Sequence, residues 1–408
     1  MDNITIVNYQ GSKKNLLEFI HSSLTDYVTE DDVILDIFSG TASVAYSYKR
    51  TNTVYTNDAE QYATTIAEAL LSANFDNSVV QLVENEYKAY QYPTSRYKKW
   101  IEEEEKVLQS GNAKKIISFY ESIPTIWVDG KKYFKTKNEY SLFVKYYSTS
   151  YFGVRQAKDI DAIKRAIDIH GAENKSTLLA CLFYAMKECV FSKDGHMAQP
   201  LDMEKSLSRL IRLRSKNIFD LFMLKISEFN SDGFVKGKGN NKTFNYNFEE
   251  LLENEKEISN VSVIYADPPY TDMQYSRYYH LLNTVVQYDY PNTTINNGQA
   301  TKGLYLENRF QSQLSKKSTC LDSMEILIKY AKDHHITLVI SFAYPQDTEK
   351  QKTDRYVMDI EDLISKCKEY YPTDNVHVLT QNYEHSNNRN SEMKKVLEYL
   401  IICERTDN

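Results

Sequence analysis

The chain has 408 residues, of which 42% are hydrophobic and 26% are charged, and its formal net charge is −7. This composition is typical of a globular protein with one large domain, or with one domain that carries a substantial insertion. The acidic balance argues against a protein that coats nucleic acid without specificity, although a local basic groove is compatible with it. No apolar run approaches the ~20 residues of a membrane span, and the first residues show no secretory signal, so we expect a cytoplasmic protein that does not enter a membrane.

The five cysteines are scattered along the chain, and none forms a Cys-x-x-Cys pair. Neither a zinc site nor a disulfide framework is therefore indicated. We expect no bound metal.

The first elements predict a strand, a tight turn and a helix. Residues 33–38, VILDIF, form a short apolar run, and the glycine-containing turn SGTAS follows it. Residues 53–57 predict a second strand that ends at Asp58, and a helical pattern covers residues 60–73.

Helical patterns dominate the middle of the chain, between residues 75 and 245. The predicted helices cover residues 96–109, 112–121, 157–168, 174–190 and 204–229. Two segments, 231–247 and 289–303, are rich in turn-forming residues and longer than ordinary connections, so we expect them to be functional or mobile loops.

The last part of the chain returns to alternating strands and helices. The patterns predict strands over 261–266 and 336–342, a helix over 322–333, and a final strand pair over 376–380 and 396–402. This order predicts an α/β fold with an open, mostly parallel sheet. We place the sheet domain in residues 1–75 and 244–408, and an inserted, mainly helical domain in residues 76–243.

Three acids follow predicted strands: Asp36, Asp58 and Asp267. In open parallel sheets, ligands bind beyond the carboxyl ends of the strands. Any one of these acids is explained equally well as a cap on the following helix, but the three together favour a nucleoside-containing cofactor. The turn has no GxGxxG, so a dinucleotide with a pyrophosphate is poorly supported, and a cofactor without phosphate fits better.

The segment Asp267-Pro268-Pro269-Tyr270 predicts a clamp for a planar base with an exocyclic amine. Each proline fixes its φ angle and removes an N–H donor, so the loop presents the Asp267 carboxylate and the Pro268 carbonyl as neighbouring acceptors. Two acceptors suit an NH₂ group and free its lone pair for attack on an electrophile, while Tyr270 supports the ring.

Three motifs in this order, NYQGSKK, DIFSGTASV and DPPY, resemble those of the DNA adenine-N6 methyltransferases of the Dam-like D12 class, which use S-adenosyl-L-methionine. The resemblance covers about residues 1–75 and 244–405 and implies a Rossmann-like methyltransferase sheet. It implies that Asp267, Pro268, Pro269 and Tyr270 are catalytic. It also implies cofactor contacts by Tyr9, Gln10, Gly11, Lys13, Asp36, Phe38, Gly40, Thr41, Asp58, Asn247, Phe248 and Asp267.

Two positions depart from the family pattern. Asn247 stands where the family usually has an acid that accepts from the cofactor's adenine, and Ala42 stands where a second glycine is common. We expect both departures to weaken the affinity for the cofactor without removing a catalytic residue.

Three further segments resemble parts of the family near the DNA or the base pocket: residues 191–200, 274–283 and 386–402. Each is also explained by ordinary helix packing or a polar hairpin. The residues proposed for DNA or for the base pocket are Lys193, His196, Tyr275, Arg277, Tyr278 and Arg389. Candidate phosphate contacts, each more simply a solvated lysine, are Lys98, Lys99, Lys114, Lys115, Lys131, Lys132, Lys236, Lys238 and Lys242.

The resemblance implies direct transfer of a methyl group to N6 of an adenine that has flipped out of double-stranded DNA. It also implies that residues 76–243 read the target sequence, in a bacterial or phage restriction-modification or defence system with a cognate restriction or defence protein as partner. Alternatives are methylation of an exocyclic amine in cytosine or RNA, and a catalytically weak or silent, cofactor-responsive DNA-binding subunit. Cytosine-C5 methylation is disfavoured because the chain has no Pro-Cys pair.

Overall fold

The computed structural model describes residues 5–9, 11–72, 76–90, 95–125, 140–193, 195–231, 237–346, 354–383 and 396–406. Within these ranges one seven-stranded sheet has the order β3-β2-β1-β4-β7-β9-β8, and β5 and β6 form a separate hairpin. The strands are β1 (Val33–Asp36), β2 (Thr53–Asn57), β3 (Lys242–Phe244), β4 (Val263–Ala266), β5 (Ile295–Asn296), β6 (Gln299–Ala300), β7 (Thr337–Pro345), β8 (Val376–Tyr383) and β9 (Val396–Cys403).

The sheet is parallel except at β9. The pairs β1–β2, β2–β3, β1–β4 and β4–β7 are parallel, whereas β9 runs antiparallel between β7 and β8. The predicted α/β class, the parallel sheet and the final strand pair are therefore confirmed. Because β1, β2 and β4 point the same way, the acids that end them or follow them lie at one edge of the sheet.

Helices cover both faces of the sheet. They are α1 (Leu17–Leu24), α2 (Ser43–Tyr48), α3 (Gln61–Ser72), α4 (Asn77–Ala89), α5 (Ser95–Ser110), α6 (Ala113–Ser122), α7 (Leu142–Tyr147), α8 (Val154–His170), α9 (Lys175–Cys189), α10 (Leu207–Arg214), α11 (Ile218–Phe229), α12 (Phe248–Glu253), α13 (Glu255–Ile258), α14 (Tyr275–Tyr278), α15 (His280–Gln287), α16 (Cys320–Asp333) and α17 (Ile360–Tyr370). None of the helices described is long and apolar enough to cross a membrane.

Alternating residues of the strands divide the core between the two faces. Ile34 of β1 packs in one cluster and its neighbour Leu35 in the other, as expected from the period of two along a strand. Both faces of the central strands are buried, so these strands are apolar throughout.

The helices from the middle of the chain share one of these clusters with the sheet domain. Phe183 of α9 and Phe222 of α11 belong to the same buried cluster as Tyr62 of α3. The described helices of segment 76–243 therefore share a core with helix α3 of the sheet domain, and the assignment of this segment as a separate recognition domain stays a prediction.

Three sequence predictions need correction. The loop predicted over 289–303 contains the short hairpin of β5 and β6. The helix predicted over 204–229 is two helices, α10 and α11, because the Asn217 side chain accepts from the Phe219 and Asp220 amides and starts a new helix. The loop predicted over 231–247 contains the short edge strand β3, which pairs with β2. Its three residues carry too little pattern to be recognised as a strand.

Candidate active site

An open cleft of about 990 Å³, counting the space continuous with solvent, lies at the edge where β1, β2 and β4 end. Asp36, Asp58 and Asp267 all line it. Their positions follow from strand direction, since each acid ends a parallel strand or comes directly after one. The cleft has the location and size of a cofactor site in an open α/β sheet.

The segment after β4 forms part of the wall. Asp267, Pro268, Pro269 and Tyr270 all line the cleft, and the Asp267 side chain is 18% exposed. The Tyr270 ring is buried and meets Phe342 of β7 edge to face, with centroids 5.9 Å apart at 81°. Packing therefore holds this ring in one orientation beside the acid.

A buried charge network lies behind Asp267. The Lys13 ammonium lies 3.0 Å from Asp267 Oδ1 and 2.6 Å from Glu398 Oε1. Glu398 of β9 is fully buried, and the Ser341 hydroxyl also donates to its Oε1 at 2.5 Å. One lysine thus joins the first part of the chain to its last strand underneath the candidate catalytic acid.

Burial and these charges set the protonation of the network. Burial opposes the charge on Lys13, but Asp267 and Glu398 outweigh it and raise the pKa of the lysine above its usual value. Burial raises the pKa of Asp267 to about 7, with Lys13 lowering it and Glu398 raising it. Asp267 is therefore an acceptor whose charge depends on its neighbours.

The remaining acids make the floor of the cleft strongly acidic. Burial, reinforced by Asp267, raises the pKa of Asp36 to about 8. Burial raises the pKa of Asp58 to about 6, and burial together with Asp58 raises that of Glu60 to about 8. Carboxyl groups that are close together and partly buried resist ionisation, because each charge is poorly solvated and repels the next one. A bound cation removes this penalty. This donor set fits a ligand that carries positive charge and hydroxyl groups.

The glycine turn after β1 is closed by Tyr9 and Asp58. Gly40 has φ +50°, and its N–H donates to Asp58 Oδ2 at 2.9 Å. A Cβ atom at Gly40 would lie 2.9 Å from Cε1 of Tyr9, which stacks on Tyr275 at 5.2 Å. Glycine is required here for both its conformation and its lack of a side chain.

Ala42 occupies a position that favours glycine. It precedes α2 with φ 54° and ψ 30°, in the left-handed region, and its methyl group is fully buried. A left-handed alanine costs about 1–2 kcal/mol relative to glycine. The departure noted in the sequence is therefore a strained but well-packed residue, and its effect on cofactor affinity stays a prediction.

Asn247 and Phe248 also line the cleft. Phe248 meets Phe38 with ring centroids 5.4 Å apart in an edge-to-face arrangement. The Asn247 side chain makes no capping bond to the helix that begins after it, α12. Two rings and an amide at one end of the cleft suit a flat heterocycle.

Most of the residues predicted for the site lie together. Those that line the cleft are Tyr9, Gly11, Lys13, Asp36, Phe38, Gly40, Thr41, Asp58, Asn247, Phe248, Asp267, Pro268, Pro269, Tyr270 and Tyr275. Gln10 and Arg389 fall outside the described residues. The roles assigned to these residues stay predictions.

Of the residues proposed for DNA or the base pocket, Tyr275 lines the cleft, whereas Lys193, His196, Arg277 and Tyr278 lie outside its lining on two segments that meet. His196 and Tyr278 rings are 5.0 Å apart, and the Met197 N–H donates to the Tyr278 carbonyl at 2.7 Å. Arg277 and Lys193 are exposed on these two segments. The 191–200 loop and helix α14 therefore form one surface next to Tyr275 of the cleft.

The structure separates the candidate lysines. Lys238 donates to the carbonyl groups of Glu30 and Thr51, at the edge where β1 and β2 begin, so it lies away from the cleft. Lys242 pairs with Glu257 at 3.5 Å. Lys98, Lys99, Lys114 and Lys115 lie on α5 and α6, and Lys131, Lys132 and Lys236 fall outside the described residues.

Sequence reasoning missed part of the cleft. Glu60, Phe310, Ser312 and Ser315 line it, and Glu398 supports it from behind. Glu398 had one available signal, an acid within the apolar run VLEYLII. The segment 310–315 has no local pattern that indicates a binding residue. Among the described residues, no cluster of His, Cys, Asp or Glu is arranged to hold a metal ion.

An α/β sheet with an acid-lined cleft and a strand-end Asp-Pro-Pro-Tyr defines the class of protein. A family model described as "D12 class N6 adenine-specific DNA methyltransferase" matches residues 9–326. The chain belongs to this family.

Similar proteins are methylases from several bacteria. The chain is 23% identical to modification methylase LlaI of Lactococcus lactis subsp. lactis, over 97% of this chain and 54% of that protein. It is 24% identical to modification methylase StsI of Streptococcus sanguinis, over 98% of this chain and 52% of that protein. It is 23% identical to type II methyltransferase M.NlaIII of Neisseria lactamica, over 98% of this chain and 100% of that protein. The chain thus spans about half the length of the first two relatives and all of the third.

Proposed function

We propose that this chain transfers a methyl group from S-adenosyl-L-methionine to N6 of an adenine flipped out of double-stranded DNA. The observation that carries the proposal is the position of Asp267 to Tyr270, which line an acidic cleft together with the strand-end residues Asp36 and Asp58. Membership of the D12 family supports adenine as the base.

The cofactor supplies an electrophilic methyl group on a sulfonium when it is bound. Asp58 would accept from its ribose hydroxyls, and the ionised acids of the floor would compensate its positive charges. Phe38 and Phe248 would hold the adenine of the cofactor, and Asn247 would accept from its amino group through the amide oxygen. An amide carries less charge than the acid it replaces, so this bond is the weak point of the site.

Asp267 and the Pro268 carbonyl accept the two hydrogens of the target amine. This draws the nitrogen towards tetrahedral geometry and makes its lone pair available. Tyr270 stacks on the flipped base, and positioning does the remaining work without a covalent enzyme intermediate. With a pKa of about 7, Asp267 also accepts the proton that the methylated nitrogen releases and passes it to solvent.

We infer that the chain acts as the modification enzyme of a bacterial or phage restriction-modification system, with a cognate nuclease as partner. The names of the relatives, which include modification methylases and a type II methyltransferase, support this. A silent DNA-binding subunit is not favoured, because the family match and the complete Asp-Pro-Pro-Tyr segment both indicate an enzyme.

The test is methyl transfer from labelled S-adenosyl-L-methionine to unmethylated DNA, followed by sequencing for N6-methyladenine. Replacing Asp267 by Ala should lower transfer by about a thousandfold, because one of the two acceptors for the amine is lost. Thermal unfolding should show that the variant keeps its fold.

Asp272→Ala is the matched control, since this acid lies five residues further on and is 59% exposed. It should transfer methyl groups like the unmodified protein. Label on cytosine, RNA or protein, or full activity of Asp267→Ala, would refute the proposed function.

A further inference from the structure

Two arginines from different segments meet at one tyrosine ring beside the cleft. The guanidinium carbon of Arg277 lies 4.9 Å from the centroid of the Tyr305 ring, and that of Arg309 lies 5.7 Å from it. Arg277 Nη2 also donates to the Tyr305 hydroxyl at 3.5 Å. Both distances are within the range of a cation–π contact, so the ring brings two like charges close together.

Tyr305 is a rigid support. It is 6% exposed, and its ring meets the buried His280 ring edge to face at 5.6 Å. The preceding loop is fixed by the Tyr151 hydroxyl, which donates to the Gly303 carbonyl at 2.9 Å. A Cβ atom at Gly303 would lie 2.4 Å from both the Tyr305 ring and the Ala198 carbonyl, so the backbone packs tightly here.

The two charges have no protein counterion in the part of the chain that the structure describes. Neither Arg277 nor Arg309 forms an ion pair with a carboxylate there, and the Nε of Arg309 is buried without a hydrogen-bond acceptor. Burial, followed by the charge of Arg277, lowers the pKa of Arg309. A buried donor without an acceptor, next to a like charge, is unfavourable until an anion completes the site.

The pair stands at the mouth of the cleft. Ser276, the neighbour of Arg277, and Phe310, the neighbour of Arg309, both line the cleft. Phe310 is also 37% exposed. The two arginines therefore adjoin the lining of the cleft in which Tyr270 lies.

We propose that Arg277 and Arg309 together bind one phosphate group of the DNA strand that carries the target base. The proposal rests on the function proposed above and adds Arg309 and Tyr305 to it. Two guanidinium groups held at one ring match the several charged oxygens of a phosphate, whereas a guanine edge accepts a single bidentate arginine.

The experiment measures the affinity for a fluorescent duplex of fixed sequence at several salt concentrations. Arg277→Ala and Arg309→Ala should each weaken binding by about tenfold at low salt. The logarithm of the binding constant falls linearly with the logarithm of the salt concentration, and the slope reflects the number of phosphates contacted. In the double variant this slope should become shallower by about one, because the two arginines bind the same phosphate. A slope that becomes shallower by about two would mean that each arginine contacts its own phosphate, and it would overturn the shared site.

Arg50→Ala is the matched control. Arg50 is exposed between α2 and β2, at the edge of the sheet opposite the cleft, and its loss should leave both affinity and slope unchanged. Unfolding temperature and cofactor affinity should be the same in all variants. Inorganic phosphate should compete with DNA for the unmodified protein more than chloride does at equal ionic strength, and this excess should vanish in the double variant.

The outcomes separate the two proposals. An unchanged salt slope in the double variant, with methyl transfer intact in the unmodified protein, refutes the phosphate site and leaves the proposed function. If the double variant instead prefers a different base at one position of the DNA while its salt slope is unchanged, the arginines read a base. This outcome also refutes the phosphate site. A lowered slope in a protein that transfers no methyl group supports the site and refutes the function, and a protein that does not bind DNA refutes both.

Discussion

The floor and the mouth of the cleft differ in their ionisable groups. The floor has Asp36, Asp58, Glu60 and Asp267, buried enough that their pKa values are raised, and the Lys13 ammonium pairs with Asp267. The mouth has Arg277 and Arg309, which form no ion pair with any carboxylate in the described residues.

This difference reconciles a net charge of −7 with the proposed action on DNA, which is a polyanion. Net charge describes the whole surface, whereas binding depends on the local field of a few side chains. An acidic floor suits a cationic cofactor and a basic rim suits DNA, so changes in one region should leave the ligand of the other region largely unaffected.

The largest effect expected on the floor comes from Gly40→Ala. The new methyl group would be forced into Tyr9 in a left-handed conformation, and we expect a loss of about 2–4 kcal/mol in the free energy of unfolding. Cofactor affinity should fall as well, since this turn lines the cleft. Urea unfolding and calorimetric titration measure the two effects.

Gly111→Ala provides the comparison. Gly111 also has positive φ, +60°, but a Cβ atom there would meet nothing within 4 Å. The Gly111→Ala variant should lose only about 1–2 kcal/mol in the free energy of unfolding, and its cofactor affinity should be unchanged. Equal losses in the two variants would show that contact with Tyr9 does not matter.

Glu398→Gln should have the next largest effect. Lys13 would lose one of its two carboxylates and would interact more strongly with Asp267, so we expect methyl transfer to fall by about tenfold near neutral pH. Glu398 raises the pKa of Asp267, so its removal should lower that pKa and move the rising limb of the pH profile to lower pH. Rates of transfer across pH test this.

Glu404→Gln is the control for that variant, because Glu404 directly follows β9 but is 44% exposed and pairs with His377. Its pH profile should be that of the unmodified protein. If Glu398→Gln lowers the rate of methyl transfer equally at every pH, without shifting the pH profile, Glu398 has only a structural role. DNA affinity should not change in either variant.

The smallest effect concerns pH and cofactor binding. Asp36 and Glu60, with pKa values of about 8, hold protons at neutral pH in the free protein. A cationic cofactor favours the ionised forms, so binding should release protons and tighten severalfold between about pH 6 and about pH 8. Titrations in buffers of different ionisation enthalpy measure the release.

The same carboxyl groups fix the sign of the stability change. The folded protein binds more protons than the unfolded chain between about pH 4 and about pH 8, so without cofactor its stability should fall as the pH rises through this window. DNA affinity at the arginine rim should vary little over the same window. A cofactor affinity independent of pH would contradict the charge assigned to the floor.

The floor could be predicted from the sequence for a physical reason. Its acids end buried parallel strands or directly follow them, and an apolar run closed by Asp36, Asp58 or Asp267 is a local pattern. Strand direction then brings these acids to one edge. The strands β1, β2, β4 and β7, the terminal pair β8–β9 and most helices of the middle segment were predicted in the same way.

The mouth and the support of Asp267 could not be predicted in this way. Arg309 and Phe310 belong to an irregular segment whose position depends on tertiary packing around Tyr305. Glu398 contacts Lys13 across 385 positions of sequence, and it lies beyond the residues 9–326 that match the family. A pairing of that range leaves no local pattern.

The order of the strands has a consequence for the synthesis of the protein. β8 is made before β9, yet its only neighbour among the described strands is β9, which lies between β7 and β8. Until the ribosome has released residues 396–403, β8 has no place in the sheet and Lys13 lacks its second carboxylate. Because the contact between Lys13 and Glu398 spans 385 positions, the support of Asp267 should form late in folding, and a nascent chain should lack the proposed activity until β9 inserts.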